Sequence, residues 1–219
     1  MEHTIHELLD LNHSLAGSYL SGFPFPWDAL DGISSLILAL GKTLGEDYEE
    51  VSPQVWIHKT AVAAPTAFLG APCIIGPRTE VRHCACVRGS ALIGADCVVG
   101  NSTEVKNAIL FDHVEVPHYN YVGDSILGYR AHLGAGAVTS NVKSDRSNVT
   151  VTLNGQKVDT HRHKFGAIVG DHAEVGCNSV LNPGTIVGRC ASIYPASCVR
   201  GIVPSGSIYK AAGNIVKRV

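Results

Sequence analysis

The sequence is poor in aromatic and charged residues, which make up 6% and 16% of its 219 residues, and its formal net charge is −2. It has no cluster of lysine and arginine, so a surface for nucleic acid or an anionic membrane is not expected, and a small-molecule partner is favoured. No apolar run approaches about 18 residues, and the N-terminus lacks a basic region followed by an apolar core. We therefore expect a cytoplasmic protein that does not cross a membrane.

A disulfide framework is also missing. The chain has seven cysteines, an odd number without regular spacing, which is typical of free thiols in a reducing compartment. Cys84 and Cys86 form a lone C-x-C, which is a weak metal motif, and we interpret both as small buried hydrophobic residues. No metal site is predicted.

What the sequence does have is a six-residue period. Every sixth residue from Ile57 to Val105 is apolar, and the residue four places after each of the first eight is small. The period returns from Val169 to Val199. A period of six fits neither a helix nor an isolated strand, but it is typical of short strands joined by turns and stacked as a solenoid. The large residues should point inward.

Four stretches depart from the period. The phase slips between Phe111 and Val116 and again before Leu127. Residues 141–164 break it, and their alternation of valines around Asn154-Gly155 predicts a β-hairpin. Residues 1–50 lack the repeat, and an apolar stripe in residues 30–44 predicts a helix, which we expect to cap the open N-terminal edge of the solenoid.

The hexapeptide pattern resembles that of the hexapeptide-repeat acyltransferases, whose fold is a left-handed parallel β-helix with three faces. The resemblance implies an all-β solenoid of this kind over residues 51–205. A helical segment, residues 1–50, would precede it, and a tail, residues 206–219, would follow. A hairpin would be inserted at about residues 142–165. The resemblance supplies the handedness, since parallel crossovers are in general right-handed.

A narrower resemblance is carried by residues 100–141, "GNSTEVKNAILFDHVEVPHYNYVGDSILGYRAHLGAGAVTSN". This stretch is similar to the acetyltransferase domain of bifunctional sugar-1-phosphate nucleotidylyltransferase/N-acetyltransferases, which make UDP-N-acetylglucosamine precursors. The similarity covers about residues 70–205. The hairpin together with residues 164–188 is most similar to the archaeal-type branch.

The catalytic base of that family is a histidine in an H-x-x-Y-x-G-D setting, and His118 with Tyr121 matches it. The base takes a proton from the sugar amine while the amine attacks the thioester of acetyl-CoA. Imidazole suits this task because it titrates near neutral pH and can accept a proton as the C–N bond forms. The resemblance therefore implies that His118 is the general base.

The resemblance also implies a set of substrate residues. Glu104 and Lys106 match a pair near the base and the sugar phosphate. Arg88 matches a phosphate-binding arginine, and Tyr121 should help to hold the phosphate. A cationic pair with a phenol suits a phosphate monoester. Asn141 matches an asparagine that positions the amino sugar.

Lys164 matches a further substrate-side lysine, but two other positions depart from the bacterial pattern. His132 replaces an asparagine that contacts the sugar, so the identity of the sugar is open. Cys177 replaces a serine that helps to stabilise the thioester oxyanion. Cysteine is the weaker donor, so the rate or the acyl-donor geometry could differ.

The function that follows is acetyl-CoA-dependent N-acetylation of a hexosamine 1-phosphate in nucleotide-sugar precursor synthesis. The resemblance implies that acetyl-CoA, the co-substrate, lies along the later coils. It also implies a homotrimer with active sites between subunits. Residues 1–50 have neither the length nor the pattern of a nucleotidylyltransferase domain, so nucleotidyl transfer is not expected of this chain.

Two alternatives remain open. The γ-class carbonic anhydrases, on the same fold, hold zinc with three histidines, two of them five residues apart, and His113 and His118 have that spacing, with His83 as a possible third ligand. The second alternative is a non-catalytic solenoid that retains the sugar-phosphate pocket as a sensor or assembly subunit. Binding without turnover would distinguish it from the transferase.

Overall fold

The structure, a computed structural model, describes residues 4–153 and 155–218. Residues 1–3 of the N-terminal segment, Asn154 of the predicted hairpin turn and Val219 of the tail lie outside the described residues. The remaining chain forms a three-sided parallel coil, preceded by short helices and interrupted by one hairpin.

Each side of the coil is a stack of short parallel strands. Face A comprises β4 (Phe68–Leu69), β7 (Cys86–Val87), the first residues of β10 (Glu104–Leu110) and of β12 (Tyr121–Leu127), β14 (Val138–Thr139), β19 (Val180–Leu181) and β22 (Cys198–Val199). Face B comprises β2 (Val55–His58), β5 (Cys73–Ile75), β8 (Ala91–Ile93), the last residues of β10 and β12, β17 (Ala167–Val169), β20 (Thr185–Val187) and β23 (Ile202–Val203). Face C comprises β3 (Val62–Ala63), β6 (Glu80–Val81), β9 (Val98–Asn101), β11 (Glu115–His118), β13 (His132–Leu133), β18 (Glu174–Val175), β21 (Ser192–Ile193) and β24 (Ser207–Ala211).

The predicted fold class is confirmed as a parallel β-helix of hexapeptide repeats. Its left hand is that of the acyltransferases that the sequence resembles. The inward residues of face A, such as Val87, Val105 and Val122, are paired in register on successive coils and are fully buried. Stacking of identical or similar aliphatic side chains thus builds one continuous core.

The phase slips of the sequence correspond to shortened coils. Glu104 is paired with Cys86, 18 residues earlier, but with Tyr121, only 17 residues later. The missing residue is at the corner between faces A and B. That corner has three residues in the coil of Arg88, whereas Lys106 and Asn107 alone form it in the next coil, so β10 runs continuously through the corner.

The helical segment covers face B rather than the end of the coil. It contains α1 (Ile5–Leu8), α2 (Gly17–Leu20) and α3 (Ile33–Gly41), with 3-10 helices at Leu11–His13 and Pro26–Gly32. The helix α3 packs against β5, β8 and β10. The outward residues of these strands, Ile74, Leu92 and Ile109, are apolar and buried. An apolar outer face must be shielded from water, and the helical segment provides this cover. The prediction that this segment caps the open N-terminal edge of the solenoid is therefore wrong.

Both ends of the solenoid extend beyond the expected boundaries. Residues 48–50, expected in the helical segment, belong to β1 (Tyr48–Ser52), which is antiparallel to β2 and covers the first coil. In the expected tail, β24 pairs in parallel with β21 and returns as the antiparallel strand β25 (Asn214–Lys217). These antiparallel strands occupy edges that would otherwise be open.

The inserted hairpin consists of β15 (Thr150–Leu153) and β16 (Gln156–Asp159), as predicted. It packs on its own chain, because Val149 and Val151 are buried and Val149 lies against Gly184. Arg162, at the end of the insertion, forms an ion pair with Asp31 and donates to the Asp28 carbonyl. The insertion is therefore fixed to the N-terminal segment.

The interpretation of Cys84 as a buried residue is wrong. Cys84 is exposed at a corner with a φ of 60°, and Cys86 is only half-buried on the outer side of face A. Cys73 and Cys97 are the deeply buried thiols, and burial raises the pKa of each to about 12.

These environments predict a labelling pattern for the folded protein. A maleimide reagent should modify the exposed thiols and leave Cys73 and Cys97 unmodified, because the thiolate is the reactive form and burial also blocks access. Peptide mass spectrometry before and after unfolding in urea would measure it. Early labelling of Cys73 or Cys97 would contradict the described core. The exposed thiols are Cys84, Cys177, Cys190 and Cys198.

Candidate functional site

Face A and its corner with face B bring together predicted site residues that are far apart in sequence. Glu104 and Tyr121 are partners on adjacent coils of face A, and both point outward. Lys106 is aligned with Gly123, and the Arg88 amide donates to the carbonyl of Val105. Arg88 and Lys106 therefore occupy equivalent corner positions on adjacent coils, with backbones about 4.8 Å apart.

Arg88 and Glu104 form an ion pair on the outer surface, with the Arg88 Nη1 to Glu104 Oε1 distance at 2.7 Å. The hydrogen bond from Arg88 to Glu104 raises the pKa of the guanidinium. The Arg88 side chain is 52% exposed, and only one of its five N–H groups is used in this pair. The remaining donors can reach a phosphate.

Asp124 is the buried centre of the corner. Its carboxylate accepts from Asn107 Nδ2 at 2.9 Å and from Asn141 Nδ2, and Lys106 Nζ lies 3.6 Å from it. Water has little access to the Asp124 side chain, which is only 6% exposed. The three partners therefore supply the hydrogen bonds and the positive charge that the buried carboxylate needs. Asp124 thus fixes Lys106 and Asn141 relative to each other.

Tyr121 joins this group through its hydroxyl, which accepts a hydrogen bond from Asn141 Nδ2 at 3.1 Å. Burial, followed by the nearby charge of Asp124, raises the pKa of Tyr121 above its usual value near 10. The phenol therefore keeps its proton at neutral pH and can donate a hydrogen bond to an anionic ligand.

His118 lies at the neighbouring corner, between faces C and A. It is the last residue of β11, its side chain is exposed, and its amide donates to Asn120 Oδ1 at 3.0 Å. Three residues of extended chain span at most about 11 Å, so the backbone of His118 lies within about 11 Å of that of Tyr121, at the edge of face A. No hydrogen bond within the described residues restrains the imidazole ring, so it is free to meet a ligand.

Two of the other predicted residues, His132 and Cys177, lie outside this group in one chain, whereas Lys164 is adjacent to it, because the Phe165 amide donates to the Asn141 carbonyl. His132 is on face C, with Nδ1 2.8 Å from Glu174 Oε2, and the two line a groove of about 380 Å³. Lys164 is exposed at the end of the insertion. Cys177 is exposed and lies at the same corner as His118, two coils later. Two backbone hydrogen bonds show this alignment: the Gly136 amide donates to the His118 carbonyl, and the Asn178 amide donates to the Ala135 carbonyl.

The three histidines of the zinc alternative do not meet in one chain. His113 lies two residues before β11 begins and His118 is its last residue, while His83 is two coils before His118 at the same corner. Over residues 4–153 and 155–218, no three or more His, Cys, Asp or Glu side chains are placed to hold a metal ion. Instead, His113 Nε2 lies 3.7 Å from Asp96 Oδ2, and the imidazole ring packs edge-on against the ring of Tyr129.

Comparison with known proteins supplies the family context. No family model matches the chain. A Methanococcus maripaludis protein named "Bifunctional protein GlmU" is 32% identical over 208 residues, covering 91% of this chain. A Sulfurisphaera tokodaii protein named "Bifunctional sugar-1-phosphate nucleotidylyltransferase/acetyltransferase" is 33% identical over 105 residues, 48% of this chain. The predicted family resemblance is confirmed. This chain covers 50% and 26% of the two bifunctional relatives, respectively.

Solved structures with a similar chain path include WeeI from Acinetobacter baumannii, with a TM-score of 0.40 and 17% identity over 68% of this chain and 53% of that one. A Caulobacter crescentus perosamine N-acetyltransferase, solved as its H141N mutant with CoA and GDP-perosamine, has a TM-score of 0.35 and 17% identity. The matched region covers 70% of this chain and 51% of the Caulobacter crescentus chain.

The residues that the sequence did not predict are Asp124 and Asn107. Asp124 closes the H-x-x-Y-x-G-D motif, but the motif assigns it no contact. The phase slips are the signal that could have found both residues. Each slip shortens the corner at which one of them lies, and both have a positive φ, 47° for Asn107 and 49° for Asp124. Asn and Asp tolerate this conformation better than other side chains.

Proposed function

We propose that the protein is an acetyl-CoA-dependent N-acetyltransferase acting on a hexosamine 1-phosphate, with His118 as general base. The observation that carries the proposal is the assembly of Arg88, Glu104, Lys106, Tyr121 and Asn141 along one edge of the coil. The acetyltransferase activity in the name of the Sulfurisphaera tokodaii relative supports the reaction type.

In the proposed reaction the sugar amine attacks the thioester carbonyl of acetyl-CoA. The new C–N bond forms, the C–S bond breaks, and CoA leaves as the thiol. His118 accepts the proton that the amine loses, and its exposed ring can exchange that proton with solvent after each turnover. Glu104, close to Tyr121 on the same face, would orient the amino sugar together with Asn141.

The sugar phosphate would lie at the corner of Arg88 and Lys106. Arginine offers several donors to a phosphate, and lysine adds a point charge. Tyr121, which keeps its proton, would donate a third hydrogen bond. Asp124 and Glu104 hold these groups in place before the ligand arrives, which lowers the cost of ordering them.

His132 and Cys177 are proposed to complete the site across a subunit boundary, and Lys164 is proposed to bind the substrate beside Asn141. In one chain His132 and Cys177 lie away from Tyr121, so their proposed roles in sugar contact and oxyanion stabilisation depend on the homotrimer that the resemblance implies. Acetyl-CoA would lie along the later coils, near Cys177. None of the helices in the described part of the chain combines the length and apolar character that crossing a bilayer requires. A cytoplasmic location stays a prediction.

Arg88→Gln tests the phosphate site. The KM for glucosamine 1-phosphate should rise by about tenfold, because one charge-assisted hydrogen bond contributes roughly 1.5–3 kcal/mol. Activity towards glucosamine without the phosphate should not change. Arg82→Gln is a matched control, since Arg82 pairs with Glu80 at 2.9 Å on face C. An unchanged KM in Arg88→Gln, or an equal rise in the Arg82 control, would contradict this assignment.

The two alternatives are tested with the same preparation. Calorimetric binding of glucosamine 1-phosphate, without N-acetylated product by mass spectrometry, would favour a non-catalytic sugar-phosphate-binding subunit. Stoichiometric zinc by metal analysis, together with CO₂ hydration activity, would favour the γ-carbonic-anhydrase-like enzyme. Product from either glucosamine 1-phosphate or galactosamine 1-phosphate would support the transferase.

A further inference from the structure

Lys164 is the proposed substrate residue that lies on the insertion rather than on a coil of the solenoid. It is exposed, and it forms a short loop with His163 between two residues that are well held, Arg162 and Phe165. A lysine side chain on an exposed loop loses conformational freedom when it binds a ligand. The contacts that hold this loop therefore affect how well Lys164 can bind a substrate.

On its C-terminal side, the loop is attached to the candidate site. The Phe165 amide donates to the Asn141 carbonyl at 3.0 Å. The Gly166 amide donates to the Asp124 carbonyl at 2.8 Å. Because Asn141 and Asp124 belong to the candidate site, this end of the loop has a fixed position relative to it.

On its N-terminal side, the loop is attached to the N-terminal segment through Arg162, whose side chain is only 10% exposed. The guanidinium forms an ion pair with Asp31 and donates from Nη2 to the Asp28 carbonyl at 3.1 Å. A nearly buried guanidinium needs such partners because it has lost most of its water. Both partners lie in the 3-10 helix Pro26–Gly32, which packs against β12, the strand that begins with Tyr121.

The same 3-10 helix also contacts the other end of the loop. Trp27 is 2% exposed, and its ring centroid lies 6.0 Å from that of the buried Phe165. Phe25 stacks on Trp27, with the centroids 4.6 Å apart. An ion pair and an aromatic contact thus hold the residues on both sides of the loop against one short helix.

We propose that Arg162 is a positioning residue of the substrate site, and that it holds Lys164 where this lysine binds the sugar phosphate. The inference rests on the proposed function and gives the N-terminal segment a part in substrate binding. Arg162 acts through Lys164 rather than by contact with the substrate. Its ion pair with Asp31 orders the loop before the ligand arrives, which lowers the cost of binding. The effect is therefore on substrate affinity, not on proton transfer at His118.

The test is a double-mutant cycle on the full chain with Arg162→Met and Lys164→Gln. Calorimetric titration with glucosamine 1-phosphate and with galactosamine 1-phosphate measures the Kd, and steady-state kinetics measures KM and kcat. Arg189→Met is the matched control. Arg189 Nη2 donates to the buried Asp171 at 2.6 Å, and Asp171 also accepts from the Asp10 amide of the N-terminal segment. This control loosens the same segment away from Lys164.

Lys164→Gln should weaken binding of the sugar phosphate by about tenfold, since one charge-assisted hydrogen bond is lost, and Arg162→Met should weaken it by a similar factor. The double variant should lose no more than Lys164→Gln alone, because the two residues act as one unit. The value of kcat should stay within about twofold of the wild type. Arg162→Lys keeps a charge for Asp31 and should recover most of the affinity. Arg189→Met should lower stability and leave KM unchanged.

A second readout does not depend on a ligand. Hydrogen exchange at the amides of Phe165 and Gly166 should be faster in Arg162→Met than in the wild type, because local opening of the loop governs it. Asp31→Asn serves as the variant if Arg162→Met does not fold, since the Asp31 side chain is 85% exposed. It should weaken binding by roughly threefold, as expected for a mostly exposed ion pair.

Wild-type affinity and exchange in the Arg162 variant, or in Asp31→Asn in its place, would overturn the inference and leave the proposed function standing. Additive losses in the double variant, or an equal loss of affinity in Arg189→Met, would also overturn it. Binding without turnover that shows the expected cycle would support the positioning role and reject only the catalytic proposal. Failure of the wild type to bind either sugar phosphate would overturn both.

Discussion

Replacing His118 with alanine should reduce the rate of acetyl transfer by about a hundredfold or more, because general base catalysis contributes roughly 10²–10⁴ in rate. Without the imidazole, no side chain takes the proton as the amine attacks the thioester. The loss should be in kcat, with little change in the KM for the sugar phosphate, since the phosphate is proposed to be held by Arg88, Lys106 and Tyr121. Steady-state kinetics with mass detection of the product measures both quantities.

His83→Ala is the matched control for this variant. His83 is exposed at the same corner, two coils before His118, and among the described residues its ring forms one hydrogen bond, with the Thr66 hydroxyl at 3.0 Å. Its removal should leave kcat within about twofold of the wild type, as for surface substitutions away from a site. If His118→Ala behaves like His83→Ala, the base is another group and the central assignment is wrong.

Replacing Asp171 with alanine should lower the free energy of unfolding by about 3–5 kcal/mol. Asp171 is fully buried and accepts from the amides of Asp10 and Tyr129, at 2.7 and 2.8 Å, and from Arg189 Nη2 at 2.6 Å. Alanine would leave two amides and the guanidinium without an acceptor. The Asp10 contact also attaches the N-terminal segment to the coil, so the loss should extend to the covering of face B. Urea unfolding measures the change.

Burial raises the pKa of Asp171, although its hydrogen-bond donors act in the opposite direction. A raised pKa means that keeping the carboxyl ionised in the folded state costs free energy, so this group favours folding less as the pH rises through the carboxyl range. Asparagine keeps one acceptor oxygen without the charge, and Asp171→Asn should therefore be less destabilising than Asp171→Ala.

Asp96→Asn provides the exposed comparison. Asp96 pairs with Arg78 at 2.6 Å at the equivalent corner, but the Arg78 side chain is 61% exposed. An exposed ion pair contributes about 0.2–1 kcal/mol, so this variant should unfold close to the wild type. Equal losses for Asp171→Ala and Asp96→Asn would contradict the argument that burial, rather than pairing, sets the cost.

The repeat predicted most of the fold because it reports directly on burial. An apolar residue at every sixth position is buried when each hexapeptide forms one side of a coil, and the structure has this arrangement from Ile75 to Val105 and from Val169 to Val199. The covering of face B could have been anticipated as well, because its strands carry apolar residues at three successive positions, as in Cys73–Ile75. The prediction that the helical segment caps the end of the solenoid did not take these apolar strands into account.

The site was predictable only in part. Arg88, Glu104, Lys106, Tyr121 and Asn141 matched a family motif, and the register of face A then places them together. Asp124 was missed because its role depends on a corner that is one residue shorter than the repeat, and a period does not reveal what a shortened corner buries.

The most direct test of the central claim is to incubate the full chain with acetyl-CoA and glucosamine 1-phosphate or galactosamine 1-phosphate, and to detect the product by mass spectrometry. Mass detection avoids thiol reagents, which the exposed cysteines would confuse. The predicted result is N-acetylated sugar phosphate and free CoA in equal amounts, formed by the wild type and His83→Ala but about a hundredfold more slowly by His118→Ala. No product with either sugar from a folded protein would contradict the account.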